Sequence, residues 1–151
     1  MNFSMPTKPP FFSQQAEHSC AVACLRMVLA TFGIERSEEE LCLFCDCGIR
    51  GTDALKLVDA ARQLGLTDTR KYNLTFGELI VELDQGKHPI VYAQTQIKGF
   101  QFPTKHAFVV LDISPDMVTV LDPWEGERQI TRAQFEHDWQ LMRGLTILCQ
   151  K

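Results

Sequence analysis

Apolar positions recur at helical spacing through the first half of the chain. Between residues 20 and 31, Val22, Leu25 and Leu29 fall on one face of a helix. Two sequences that begin at Ser37 and Thr75 have a hydroxyl residue followed three positions later by glutamate, the pattern of a capping box at a helix start. The pattern predicts four helices, over residues 20–31, 37–45, 53–64 and 75–85.

From residue 89 onward the pattern changes to short runs that are rich in β-branched and aromatic residues. Such runs predict strands, and they cover residues 89–93, 106–112, 117–121, 127–130 and 144–149, with a short helix over residues 131–139. Helices that precede an antiparallel sheet predict an α+β domain. Residues 1–13, rich in proline, are expected to form an extended arm, and residues 14–151 a single domain.

Composition narrows the class of protein. The chain has 151 residues, of which 45% are hydrophobic and 23% charged, and its formal net charge is −4. A negative net charge argues against nucleic acid as a partner. No apolar run has the length needed to insert into a membrane. The amino-terminal segment has no apolar signal-peptide core, so a cytoplasmic location is expected. The six cysteines are therefore expected to be free thiols.

Four residues carry the candidate chemistry. Cys20 lies at the start of the first predicted helix, where free N–H groups and the helix dipole stabilise a thiolate. His106 and Asp122 lie at the same end of a predicted hairpin, so the carboxylate can orient the imidazole. A glutamine amide shortly before the cysteine, from Gln14 or Gln15, can donate to an oxyanion. Taken singly, these residues have ordinary structural explanations: a buried cysteine, a surface histidine, a turn aspartate and polar loop glutamines. Together they have the chain order of a papain-like cysteine peptidase.

Three further cysteines, Cys42, Cys45 and Cys47, form a separate cluster. Thiolates at such spacing can bind zinc, but the sequence offers no second pair of ligands. Cys42 and Cys45 fall at helical spacing, as core cysteines do. The sequence predicts packing for this cluster and no metal or cofactor for the protein.

The chain resembles peptidase family C39, the papain-like domain known from bacteriocin-processing ABC transporters. The resemblance rests on Gln14 with the segment Cys20-Ala21-Val22-Ala23-Cys24-Leu25, on Gly51-Thr52-Asp53-Ala54-Leu55, on His106-Ala107-Phe108-Val109-Val110, and on Leu121-Asp122-Pro123 with Gly126, Phe135 and Trp139. It covers the chain from about residue 14 to the end. It favours Gln14 over Gln15, because the oxyanion glutamine of the family lies six residues before the cysteine.

The resemblance implies a fold, an activity and a partner. The fold is a papain-like α+β domain with amino-terminal helices packed on an antiparallel sheet. The activity is cleavage of a leader peptide after a Gly-Gly type motif by Cys20, His106, Asp122 and Gln14, without a cofactor. The partner is a peptide or precursor-protein substrate, with an ABC transporter acting in trans if the domain is free-standing. A catalytically weak module that docks a leader or partner peptide is the alternative.

Overall fold

The computed structural model describes residues 8–48 and 51–151; residues 1–7 of the predicted arm lie outside them. Within the described residues the chain forms five helices and six strands. In order they are α1 (Cys20–Thr31), α2 (Glu38–Cys45), α3 (Ala54–Gln63), β1 (Arg70–Asn73), α4 (Phe76–Asp84), β2 (Ile90–Thr95), β3 (Thr104–Ile113), β4 (Met117–Asp122), β5 (Gly126–Thr131), α5 (Arg132–Gln140) and β6 (Leu145–Leu148).

The strands form one antiparallel sheet in the order β1-β6-β2-β3-β4-β5, with helices on both of its faces. Along β2, Ile90 and Tyr92 pack with α1, α2 and α3, whereas Val91 and Ala93 pack with α4 and α5. Because both faces of the central strands are covered, their apolar residues run almost without interruption instead of alternating with polar ones. The predicted α+β class, with amino-terminal helices packed on an antiparallel sheet, is confirmed.

Strand β1 is absent from the sequence prediction, and it lies between two helices, so the helices do not all precede the sheet. Its sequence, Arg-Lys-Tyr-Asn, has no apolar alternation, and three of its four residues are exposed. The strand exists because it pairs with β6 at the edge of the sheet, Arg70 opposite Leu148 and Asn73 opposite Leu145. Such long-range pairing leaves no local sequence signal.

Both predicted capping boxes form. Ser37 Oγ accepts a hydrogen bond from the backbone N–H of Glu40 over 3.1 Å, and Thr75 Oγ1 accepts one from Glu78 over 3.2 Å. In each box the glutamate side chain accepts in return from the backbone N–H of the capping residue. The starts of α2 and α4 are therefore encoded locally, each cap contributing about 1 kcal/mol.

Gly144 is required where the chain enters β6. Its φ is +67°, and a Cβ added there would lie 2.1 Å from the carbonyl oxygen of Leu74. Because the N–H of Leu74 donates to the carbonyl of Gly144 over 2.9 Å, the two segments cannot separate without losing that bond. We expect Gly144→Ala to lower the free energy of unfolding by about 3 kcal/mol, measured by urea denaturation.

The control for this substitution is Gly33→Ala. Gly33 also has a positive φ, +75°, but nothing lies within 4 Å of its added Cβ. Gly33→Ala should lower the free energy of unfolding only by the backbone strain, about 1 kcal/mol. Equal losses for the two variants would contradict the steric explanation for Gly144.

Candidate active site

Cys20 is the first residue of α1, and its side chain is partly exposed in a cleft. The residue before it, Ser19, does not cap the helix, because its Oγ exchanges hydrogen bonds with the backbone N–H and carbonyl of Ala16 at 3.1 and 3.0 Å. No side-chain oxygen therefore occupies the amino-terminal end of α1. This end of the helix can stabilise a negative charge on the Cys20 sulfur.

His106 and Asp122 form a buried pair beside Cys20. The imidazole Nε2 lies 2.7 Å from Asp122 Oδ1, and the two side chains are 3% and 0% exposed. The pairing of Val109 with Leu121 brings the end of β4 beside the first half of β3. His106 and Asp122 therefore contact each other diagonally across the two strands. With Nε2 bound to the carboxylate, Nδ1 is the ring nitrogen left for Cys20, with which His106 also makes a side-chain hydrogen bond.

The pKa values of this pair favour the charged forms. Burial lowers the pKa of His106, but the hydrogen bonds to Asp122 and Cys20 raise it more, to about 9. Burial raises the pKa of Asp122, but bonds from His106, the Trp124 backbone and Arg128 lower it further, so that it lies below its ordinary value. At neutral pH the site therefore holds an imidazolium against a carboxylate.

Arg128 on β5 was not predicted as part of the site. Its Nε donates to Asp122 Oδ2 over 2.9 Å, whereas His106 and the N–H groups of Trp124 and Glu125 all approach Oδ1. The guanidinium also lies 3.4 Å from the Glu125 carboxylate. On β5, exposed residues alternate with half-buried ones, so the sequence around Arg128 is that of an ordinary surface strand. Only the three-dimensional structure therefore reveals that Arg128 binds Asp122.

We expect Arg128→Gln to lower the free energy of unfolding by about 2 kcal/mol at pH 7. The folded-state pKa of Asp122 is depressed, so its contribution to stability is present above its unfolded-state pKa and is lost as pH falls through the folded-state value. The difference between the variant and the wild type should therefore begin to shrink only below about pH 4 and should disappear as the pH falls through the lower, folded-state pKa. Urea denaturation at pH 7 and pH 2.5 measures this difference.

Arg132→Gln is the matched control, because Arg132 lies 4.3 Å over the Phe76 ring and donates to the carbonyl of Pro115 instead of a carboxylate. Its effect should be the same at both pH values. A loss for Arg128→Gln that does not change with pH would contradict the role assigned to its charge.

Gln14 lies in the cleft, and backbone hydrogen bonds from Gln14 and Gln15 hold its segment in place. The N–H of Gln14 donates to the carbonyl of Pro123 over 2.8 Å, and the N–H of Gln15 donates to both oxygens of the Glu38 carboxylate at 3.1 Å. Glu38 is only 4% exposed. Glu38 lies in the first turn of α2, and its carboxylate anchors the segment that carries Gln14.

The amide of Gln14 is directed at its own segment. Nε2 donates to the carbonyls of Ala16 and Glu17 at 2.7 and 3.2 Å, and Oε1 is buried without a hydrogen-bond partner among the described residues. Donation to an oxyanion therefore requires one of these bonds to be exchanged. Gln15 is exposed and does not line the cleft.

The cleft has a volume of about 240 Å³. It brings Gln14, Cys20 and His106 together, with Asp122 directly behind the imidazole. The lining residues are Gln14, Glu17, His18, Cys20, Ala21, Gly51, Thr52, Tyr92, Ile97, Phe100, Thr104, Lys105, His106 and Trp124. Gly51 has a φ of +86°, and an added Cβ would lie 3.4 Å from the carbonyl of His18, two residues before α1.

Four of the remaining cysteines lie in less reactive surroundings. Cys24 is fully buried, which raises its pKa well above the ordinary value, and burial raises the pKa of Cys42, Cys45 and Cys149 to about 12. Among residues 8–48 and 51–151, no three histidine, cysteine or acidic side chains are grouped to hold a metal. In the same residues, every helix is too short or too polar to cross a bilayer.

Comparison with known sequences adds a family. A profile described as the Peptidase C39 family matches residues 8–151. The mesentericin transport/processing ATP-binding protein MesD of Leuconostoc mesenteroides is 29% identical over 135 residues, which are 87% of this chain and 18% of that protein. The lactococcin-G-processing and transport ATP-binding protein LagD of Lactococcus lactis subsp. lactis is 26% identical over 83% of this chain and 17% of its own length. The chain thus spans less than a fifth of these curated relatives.

Solved structures share the fold. The peptidase domain of Streptococcus ComA, a bi-functional ABC transporter involved in a quorum sensing pathway, matches with a TM-score of 0.75 and 26% identity. The match covers 93% of this chain and 97% of that domain. A double glycine motif protease from an AMS/PCAT transporter, solved in complex with the leader peptide, also matches with a TM-score of 0.75, at 22% identity over 93% of this chain and 89% of the other. The papain-like architecture predicted from the sequence agrees with these domains.

Proposed function

We propose that this chain, which belongs to the peptidase C39 family, is a cysteine endopeptidase whose nucleophile is Cys20. The observation that carries the proposal is the position of His106, which is bound through Nε2 to a buried carboxylate and interacts through its other side with the thiol at a helix start. This is the arrangement of nucleophile, base and orienting acid that acyl transfer requires.

The steps follow from the positions of the three side chains. The Cys20 thiolate attacks the scissile carbonyl carbon, and the imidazolium of His106 protonates the leaving amine as the C–N bond breaks. The now neutral imidazole deprotonates a water molecule, which attacks the resulting thioester. The acid product then leaves, which restores the Cys20 thiolate and the His106 imidazolium. Asp122 remains ionised throughout and holds Nε2–H, so that Nδ1 faces the sulfur.

The oxyanion of each tetrahedral intermediate would be bound by the backbone N–H of Cys20 and by Gln14 Nε2. We expect Gln14→Ala to lower kcat by about 100- to 1000-fold, because one of the two oxyanion donors is lost. Gln15→Ala is the matched control, since this neighbouring side chain is exposed and its backbone bond to Glu38 persists. Equal effects of the two substitutions would contradict the assignment to Gln14.

The proposed substrate is a precursor peptide cut after a Gly-Gly type leader motif, and the proposed partner is an ABC transporter that exports the product. Support comes from the motif resemblance and from the curated relatives, which are named as proteins that process and transport bacteriocins.

One observation favours a second candidate, a peptide-binding module with little hydrolysis. Both N–H bonds of the Gln14 amide are already used by backbone carbonyls, so the oxyanion site is incomplete before substrate binds. A module of this kind would bind a leader peptide equally well in wild type and Cys20→Ser and would cleave it in neither.

Mass spectrometry after brief iodoacetamide treatment near pH 6.5 tests the proposal. We expect rapid labelling at Cys20, because its thiol faces His106 at a helix start, whereas burial keeps Cys24, Cys42, Cys45 and Cys149 protonated. Cys20→Ser should lose both the label and the cleavage of a Gly-Gly peptide. Slow, uniform labelling of the six cysteines would refute a cysteine peptidase.

A further inference from the structure

Two aromatic side chains form one end of the cleft. Phe100 lies in the loop between β2 and β3, and Trp124 in the turn after β4; their ring centroids are 5.3 Å apart at an interplanar angle of 78°. Ile97, only 2% exposed, lines the same cleft. Trp124 is 38% exposed, which is unusual for so large an apolar residue that is otherwise fixed in place.

Hydrogen bonds fix this aromatic pair in position. The indole Nε1 of Trp124 donates to the carbonyl of Lys98 over 3.0 Å, and the loop behind it closes through a bond from the N–H of Phe100 to the carbonyl of Ile97. Gly99, with a φ of +89°, supplies the left-handed residue of that turn. The aromatic surface is therefore preorganised in the cleft before any ligand binds.

The same turn connects the aromatic pair to the catalytic residues. The backbone N–H of Trp124 donates to Asp122 Oδ1 over 2.8 Å, the oxygen that also binds His106. Trp124 and His106 therefore belong to one wall of the cleft, and the bond from the Gln14 N–H to the Pro123 carbonyl holds the Gln14 segment next to this wall.

The need for His106 to protonate the leaving nitrogen determines which part of the substrate contacts this wall. In the tetrahedral intermediate the oxyanion points toward Gln14 and the Cys20 N–H, and the leaving nitrogen must point toward His106, which protonates it. The chain that follows the scissile bond is attached to that nitrogen. It therefore passes along the His106 side of the cleft, where the aromatic pair lies.

We propose that Phe100 and Trp124 form the subsite for the residue directly after the scissile bond and select an apolar side chain there. This inference rests on the proposed peptidase function and adds to it a specificity on the leaving-group side. An apolar side chain would cover the exposed ring surface, whereas a carboxylate would lose part of its hydration against the two rings.

The test is a set of peptides with one Gly-Gly leader and a varied following residue: Leu, Phe, Ala, Asp or Lys. Wild type should cleave the Leu and Phe peptides with kcat/KM about tenfold or more above the Asp peptide. Trp124→Ala, which keeps the backbone N–H to Asp122, should reduce that ratio to about twofold or less. Phe102→Ala is the matched control, because Phe102 is 69% exposed and does not line the cleft; its ratio should equal that of wild type.

The outcomes separate the two proposals. Cleavage with a flat or acid-preferring profile, or an unchanged profile in Trp124→Ala, would overturn the subsite and leave the peptidase intact. Failure of wild type to cleave any peptide would overturn the peptidase function and the subsite with it. If Trp124→Ala does not fold, Phe100→Ala replaces it, and the same loss of preference is required.

Discussion

Replacing His106 with alanine is expected to lower kcat/KM on a Gly-Gly leader peptide by about 10⁴-fold or more. The imidazole both stabilises the Cys20 thiolate and protonates the leaving amine, so its removal disables both halves of the reaction. Its raised pKa, about 9, means that the wild-type ring carries its proton throughout the neutral range. Without that cation, alkylation of Cys20 by iodoacetamide at pH 6.5 should slow by about 100-fold.

His137→Ala is the control for this substitution. His137 is an exposed residue of α5 that interacts with the neighbouring Asp138 and is absent from the cleft lining. It should leave both rates unchanged. If His106→Ala retained rapid alkylation of Cys20, the thiolate would have to be stabilised by α1 alone, and the proposed pair would be wrong.

Replacing Asp122 with asparagine is expected to move the alkaline limb of the kcat/KM profile downward by about one to two pH units. The carboxylate is one of the causes that raise the pKa of His106 from 6.5 to about 9. Without its charge, the imidazolium deprotonates at lower pH, and the general acid is lost there. At pH 8.5 the variant should be about 3- to 25-fold slower than wild type, with the difference decreasing toward pH 6.

The direct measurement is the titration of His106 by NMR in both proteins. The asparagine keeps an acceptor oxygen for Nε2–H but turns an amide donor toward Arg128 Nε, which now donates to Oδ2, so a stability loss is expected in addition. Denaturation curves separate that loss from the pH effect. An unshifted His106 titration in a folded Asp122→Asn protein would show that Asp122 does not set the charge of the imidazole.

Local sequence pattern was sufficient for most of the secondary structure. The capping residues Ser37 and Thr75 and the positive-φ glycines at helix ends are short-range signals, since their hydrogen bonds and backbone angles involve residues within one turn. The four named residues Gln14, Cys20, His106 and Asp122 also followed from the sequence, because each side-chain type has a chemistry of its own and the family motifs place them in order. Strand β1 had no such signal, because its existence depends on β6 more than seventy residues later.

The supporting residues were decided by the tertiary structure. Glu38 lies in the first turn of α2 with nothing in its sequence context to indicate a partner, yet its buried carboxylate accepts from the backbone N–H of Gln15. Arg128 has the sequence context of a surface residue, yet it binds the oxygen of Asp122 that the other donors leave free. The aromatic pair Phe100 and Trp124 comes from two loops that meet only in the fold.

The difference between the features that the sequence predicted and those that only the structure revealed has one physical reason. Helix starts, turns and the chemical identity of a nucleophile or a base depend on a few consecutive residues, and a sequence displays them directly. Partners of a buried charge, edge-strand pairing and the walls of a cleft depend on segments brought together by the packing of helices on both faces of the sheet. The sequence therefore indicated the residues that are proposed to react, and the three-dimensional structure showed which residues contact them and line the cleft.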